Sequence, residues 1–441
     1  MELAGKRVLI IGLGVSGRAA ARLAAARGAK LVLADARADI ERAGLPAGEL
    51  RLGAGNPAWL AGVDLAIASP GVPPTAPLMR AAAAAGIPLM GELEFGARCV
   101  RAPIAAITGT NGKSTVTMMI GAMLRAAGRR VFVGGNLGTP IAEAVAGDFD
   151  AAVVETSSYQ LELIERFHPR VAVHLNLTDD HLDRYSDLAE YGRAKARIFE
   201  NQDAADCAVL NRDDPNVWRL AAASRARVFS FGLGSPPAAG DAIWPERAAL
   251  AWRFRAGAGE IDLRRFVLPG RHNLANAMAA AAAALAMGAG AGAIASALAD
   301  FKGLKHRLEF VAEKRGVRYV DDSKGTNVGA AVEALNAVAP PVILIAGGVD
   351  KGGDYGPLRA AVRERARLVI LNGAAREKMG AALAGAAAIE AAPSMREATR
   401  IAAERARPGD TVLLSPACSS FDQFKDYAER GRVFQELVRA L

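Results

Sequence analysis

The sequence predicts an α/β protein of several parallel-sheet units, and three observations carry that prediction. Short apolar runs of strand length alternate with alanine-rich, helix-length segments throughout, the pattern of βαβ units. Polar clusters sit at the carboxyl ends of those runs, where ligands collect in open α/β sheets. A chain of 441 residues also exceeds what one core usually supports, so two or three units are expected.

Strands are expected at 7–11, 30–34, 65–69, 104–108, 151–155, 171–175, 342–346, 368–371 and 411–414. The first run is short and glycine-punctuated, with no small-residue cleavage site after it, and reads as a strand rather than a signal peptide. Gly12-Leu13-Gly14-Val15-Ser16-Gly17 follows it and opens a helix, while Asp35 ends the second strand. That is a dinucleotide fingerprint. Asp35-Ala36-Arg37 mixes an acid with a cation, however, and the third strand ends in Ser69-Pro70-Gly71-Val72. Any nucleotide diphosphate fits such a half, so a diphosphate ligand, a nicotinamide cofactor and plain packing glycines stay open.

Ala106 to Thr115 is the most informative stretch. A strand end meets a loop, Gly109-Thr110-Asn111-Gly112, then Lys113, Ser114 and Thr115. Backbone N–H groups there can cradle phosphate, Lys113 can reach the outer phosphates, and Ser114 can sit on Mg²⁺. The full pattern has a glycine where this chain has Ile107, so the loop is a shortened variant. Further polar clusters follow at Gly134-Gly135-Asn136, Glu155 to Gln160 and Asn176 to His181. Glu155 suits a Mg²⁺ shared with the nucleotide. His181, flanked by acids, reads either as a ligand to a second ion or as a loop histidine bonded to backbone; His168 and His174 lack such company and read as structural.

Run 277–298 is dominated by Ala and Gly, so it reads as a packed helix pair and not as a membrane span. Three blocks result, 1–93, 94–302 and 303–441, the last boundary resting on the polar, glycine-bearing link at 301–307. The net charge of +8 is scattered over helices without basic runs, so nucleic acid is not expected as a partner. Cys99, Cys207 and Cys418 are far apart and odd in number, which points to a reducing compartment.

The phosphate loop, Gly-Gly-Asn, Glu155-Thr156-Ser157-Ser158-Tyr159-Gln160, Asp180-His181-Leu182-Asp183-Arg184-Tyr185, Gly270 to Asn276 and His306-Arg307 occur in order, and with them the chain resembles the Mur ligase family. Asp322 to Asn327 and Ser415 to Phe424 look like its D-glutamate-adding branch. The likeness covers essentially the whole chain. It implies a three-domain architecture: a Rossmann-like N-terminal domain, a central P-loop ATPase domain and a Rossmann-like C-terminal domain. The activity it implies is ATP-dependent amide-bond formation between UDP-N-acetylmuramoyl-L-alanine and D-glutamate in cytoplasmic peptidoglycan precursor synthesis, by a monomer.

By that resemblance Ser16, Asp35, Arg37, Ser69 and Gly71 hold the UDP end, and Asn136, Ser157, Gln160 and His181 the muramoyl part. Asn273, Asn276, Arg307 and Asp322 join the phosphate loop around ATP. Lys324, Thr326, Lys351, Ser420, Phe421 and Tyr427 surround D-glutamate. Lys195, a solvated helix lysine on pattern alone, matches a family lysine carbamylated by CO₂. It would share a second Mg²⁺ with His181, while Ser114 and Glu155 hold the first. Lys113, Glu155, His181 and Lys195 are the expected catalytic set. Ala36 and Tyr427 depart from the family's usual residues. A folylpolyglutamate synthase would share the central block but not the first domain. A binding protein without chemistry would not need Glu155, His181 and Lys195 together.

Overall fold

A computed structural model describes residues 1–181 and 184–441. Leu182 and Asp183, part of the motif at 180–185, lie outside the described residues. The chain forms three separate sheets. The first has five parallel strands in the order Glu49–Leu52, Lys30–Asp35, Arg7–Ile11, Leu65–Ala68, Leu89–Gly91. The chain reverses direction across the sheet at Arg7–Ile11, which puts the glycine loop in the crevice at the topological switch point. Gly17 belongs there because a Cβ would lie 1.8 Å from the Gly12 carbonyl oxygen.

The second sheet has nine strands, with Ile104–Thr108 between Ala151–Glu155 and Val171–His174. Seven run parallel, and Ala249–Phe254 and Gly257–Asp262 extend Asp241–Glu246 as an antiparallel meander. Helix Lys113–Ala126 and the alanine-rich helix Arg271–Ala286 pack on one face. Every residue from 277 to 284 is fully buried; small side chains let that helix approach sheet and neighbour closely. The expected pair is present as Arg271–Ala286 and Ala291–Asp300, and among the described residues no helix is long and apolar enough to cross a membrane. The third sheet runs Glu309–Lys314, Val317–Asp321, Thr411–Leu414, Val342–Gly347, Ala366–Asn372, Ala388–Ala391, parallel except for the first pair.

Helix Glu92–Ala97 ties the first unit to the second. Fully buried Glu94 accepts the backbone N–H groups of Glu165, Arg166 and Phe167 at 2.9, 3.0 and 2.9 Å. Glu92 accepts Ala142 N–H at 2.8 Å, while its other oxygen is buried without a partner. Burial pushes the Glu92 carboxyl up to about 7. A raised acid favours folding only while protonated, so stability is lost as pH rises from the ordinary carboxylate range through about 7. Glu92→Gln should remove that loss: its melting temperature should match the parent's near pH 4.5 and exceed it at pH 8, by up to about 3 kcal/mol in stability. An equal difference at both pH values would contradict it.

Candidate active site

The site is built on the phosphate loop. Ile104–Thr108 ends in Gly109, and Gly112, at φ +86°, caps the helix that starts at Lys113. A Cβ on Gly112 would meet Asn276 Oδ1 at 2.4 Å, so only glycine permits this approach of loop to helix. The loop amides divide into two groups. Thr110 N–H donates to the Asn176 carbonyl at 3.0 Å and Asn111 N–H to Asn176 Oδ1 at 2.8 Å, so these two hold the loop instead of cradling a ligand. The helix's first turn has no side-chain cap, which leaves its N–H groups and dipole for an anion. Lys113 Nζ donates to the Gly109 and Thr110 carbonyls at 2.9 and 2.8 Å, folded over the loop. Burial lowers its pKa.

Glu155 ends the adjacent strand, 3% exposed. One oxygen accepts from Asn136 Nδ2 at 2.8 Å; the other is buried with no hydrogen-bond partner. Burial would raise its pKa, but Lys113, Ser114 and Asn136 outweigh it and keep the carboxylate charged. His181, at φ +57°, has Nδ1 2.9 Å from the Tyr159 hydroxyl, so it is not the backbone-satisfying loop histidine. Burial lowers its pKa against the opposing pull of Asp180.

Lys195, on helix Leu188–Ala196, is 1% exposed and does not face solvent as its pattern alone suggests. Its Nζ donates to the Gly109 carbonyl at 2.9 Å, stands 3.5 Å from Thr108 Oγ1, and lies 4.6 Å from the centre of the Tyr191 ring. Burial, then repulsion from Lys113, pushes its pKa well below the lysine value. His174 is the surprise. It pairs in register with Thr108, is 1% exposed, and both ring nitrogens are buried without a partner.

The C-terminal unit reaches this centre directly. Lys324 Nζ lies 3.1 Å from Ser114 Oγ and 3.3 Å from the Tyr427 hydroxyl; burial, then Arg307, brings its pKa down to about 8. Lys351 Nζ approaches Asp180 at 3.4 Å, and Asn327 bonds both Asp180 and Asn111. In this conformation the C-terminal unit is therefore closed onto the phosphate loop. Thr326 follows Lys324 in the same turn, and Ser420 is buried, yet Phe421 is 74% exposed. Buried Arg430 fixes both loops: its guanidinium donates to Ser323 Oγ at 3.0 Å, Ser323 O at 2.8 Å and Cys418 O at 3.2 Å. Arg430→Ala should cost about 3 kcal/mol, read as a lower melting temperature, because it orphans three buried acceptors. A change under about 0.5 kcal/mol, the surface-substitution range, would contradict this.

Asn111, Gly112, Thr115, Asn273, Asn276, Arg307 and Asp322 line one cavity of about 980 Å³ between the second and third units. Arg307 Nε there is buried and unpartnered, and burial raises Asp322 to about 7. At the first unit's crevice Asp35 accepts Leu13 N–H at 2.7 Å and the Arg37 guanidinium at 3.0 and 3.1 Å. Burial opposes these bonds, but they hold Asp35 at about 2. Ser69 Oγ donates to Gly12 O at 2.8 Å. Ser16 and Gly71 lie on the same rim, partly buried and exposed. Ser157 and Gln160 form a capping box at Ser158–Leu161. Sequence reasoning assigned no role to Tyr159, Tyr191, Asn327 or Arg430, although Tyr159 and Asn327 stand inside the motifs that carry the resemblance.

A phosphate loop in the central α/β unit, on which Lys113 and Lys195 converge from that unit and Lys324 from the C-terminal one, defines a nucleotide-dependent enzyme of multidomain type. The chain belongs to the Mur ligase family: the Mur ligase middle domain matches residues 107–284, the glutamate ligase domain 306–418 and the MurD-like N-terminal domain 6–91. The UDP-N-acetylmuramoylalanine--D-glutamate ligase of Geotalea daltonii is 45% identical, covering 100% of this chain and 99% of its own length. That of Myxococcus xanthus is 45% identical with 100% of each covered. Among solved structures, a pseudomurein peptide ligase type C from Methanothermus fervidus shares the fold with a TM-score of 0.64 at 19% identity, over 99% of this chain and 100% of its own. UDP-N-acetylmuramate-alanine ligase from Thermotoga maritima does so with a TM-score of 0.61 at 19% identity, over 99% of each. Family members form amide bonds with ATP in peptidoglycan precursor synthesis, and this chain is an ATP-dependent ligase.

Proposed function

We propose that the chain joins D-glutamate to UDP-N-acetylmuramoyl-L-alanine through an acyl phosphate, with the residue roles expected from the sequence. The contact of Lys324 with Ser114 carries the reading, because it brings a cation from the C-terminal unit to the phosphate loop. The domains are read as 1–93 for the UDP end, 94–302 for ATP and 303–441 for D-glutamate, supported by the three separate sheets.

A free carboxylate does not acylate an amine, because oxide is a prohibitive leaving group. Its oxygen attacks the γ-phosphorus of ATP in line, forming a C–O–P bond as the bond to ADP breaks. Lys113 and the helix N-terminus offset charge on the transferring group. The D-glutamate nitrogen, as free amine, then attacks the acyl carbon, and the tetrahedral adduct expels inorganic phosphate as the amide forms. Contacts of Lys324, Asn327 and Lys351 with the central unit exclude water that would hydrolyse the anhydride.

Two Mg²⁺ ions fit the residues present. The partnerless Glu155 oxygen beside Ser114 suits a hard cation, and the neutral His181 ring offers a second ligand with Lys195 as carbamate. Burial lowers the amine's pKa and so favours the free-base form that CO₂ needs: its lone pair forms the C–N bond, a C=O pair moves to oxygen, and one proton leaves to water. Bound magnesium would neutralise phosphoryl charge. Since ATP and nucleotide-linked acids are its substrates, we infer a cytoplasmic enzyme, and from the family resemblance a monomer. Phosphate release should require both UDP-N-acetylmuramoyl-L-alanine and D-glutamate; equal release with L-glutamate, or with ATP alone, would overturn the reading.

A further inference from the structure

We propose that the His174 imidazole donates a hydrogen bond to the carbamate of Lys195 and holds it in its working orientation, making His174 a positioning residue for the reaction. The inference rests on the reading of Lys195 given above, and its ground lies in the packing beneath that lysine. His174 ends strand Val171–His174, and its Cα partner on the neighbouring strand is Thr108. Side chains paired in register point to the same sheet face, and Thr108 Oγ1 stands 3.5 Å from Lys195 Nζ. The Phe199 ring, 6.4 Å away between centroids, lies near the imidazole just after the helix that carries Lys195. The ring thus shares a sheet face with Thr108, near Phe199 and within the electrostatic reach of Lys195.

Both imidazole nitrogens are buried and unpartnered, which costs about 1–3 kcal/mol for each unsatisfied group. A chain selected for stability alone would place an apolar residue here, as it does at neighbouring Ala172 and Val173. A neutral imidazole carries a proton on one nitrogen, which it can donate, and a lone pair on the other. No described residue accepts that N–H in this conformation. A carbamate can: it places two acceptor oxygens just beyond the present Nζ. Groups that bond the outer side of a metal ligand typically change site affinity 10–100-fold when removed.

The test uses full-length protein equilibrated with ¹³C-labelled bicarbonate. Carbamate is read by ¹³C NMR, and the five histidines are followed by ¹⁵N labelling of their rings. In the parent protein, adding CO₂ should shift one histidine ring N–H signal, absent in His174→Gln, and Lys195→Met should abolish the shift. His174→Leu should need about tenfold more bicarbonate for half-maximal carbamate, whereas His174→Gln, which keeps a side-chain N–H, should stay within about threefold of the parent. A parent carbamate signal with no ring shift, or with His174→Leu titrating like the parent, would overturn the inference and leave the Lys195 reading intact. No carbamate at any bicarbonate concentration would overturn both. The ring shift is read on the parent protein, so the test stands even if His174→Leu does not fold.

Discussion

Lys195→Met should lower kcat by at least about a thousandfold while ATP still binds with near-parental affinity. The lysine is fully buried under the phosphate loop, bonded to the Gly109 carbonyl and packed on Tyr191. A lysine kept only for structure would be replaceable by methionine, which fills the same volume without a costly buried amine. The proposed role instead makes Nζ the attachment point of an oxygen ligand, and removing such a group forfeits transition-state charge stabilisation of about 3–4 kcal/mol or more. The check is steady-state phosphate release at saturating ATP beside calorimetric binding of a non-hydrolysable ATP analogue. The parent enzyme should also slow in CO₂-depleted buffer and recover on adding bicarbonate. A Lys195→Met enzyme with substantial activity in CO₂-depleted buffer would remove the role assigned to this lysine.

Lys113→Ala should be equally severe by a different route. Its ammonium is the one on the first turn of the phosphate-loop helix, held over the loop by two carbonyls. Phosphoryl transfer relies on positioning and on offsetting charge, and loss of one such cation typically costs about 10³-fold or more. Because Lys113 also repels Lys195 and Lys324, its removal should raise the pKa of both neighbours. Higher bicarbonate should then be needed to carbamylate Lys195 in Lys113→Ala, visible by ¹³C NMR. Turnover within tenfold of the parent would contradict the assignment.

The architecture was largely legible because strand-length apolar runs are short and bounded by glycine-rich turns. All nine expected strands are present within a residue or two, from Arg7–Ile11 to Thr411–Leu414. Strands such as Glu49–Leu52 and Ala388–Ala391 escaped because edge strands are half-exposed and mix polar with apolar residues. The phosphate loop and Glu155 declare themselves locally, since their chemistry depends on neighbours in sequence. Lys195 does not: on its own helix it reads as a solvated cation, and only the packing of that helix against the sheet buries it. His174 reads as structural along the chain for the same reason, since Lys195 is near it only across the fold. Arg430 and Asn327 are invisible for another cause, because they matter through contacts more than 100 residues away, to Ser323 and Asn111.

The central claim is that the acid is activated as an acyl phosphate, and its most direct test is isotopic. With ¹⁸O in the L-alanine carboxylate of UDP-N-acetylmuramoyl-L-alanine, one turnover with ATP and D-glutamate should deliver one labelled oxygen to inorganic phosphate. Phosphate released without the label, at a normal rate of amide formation, would contradict the account.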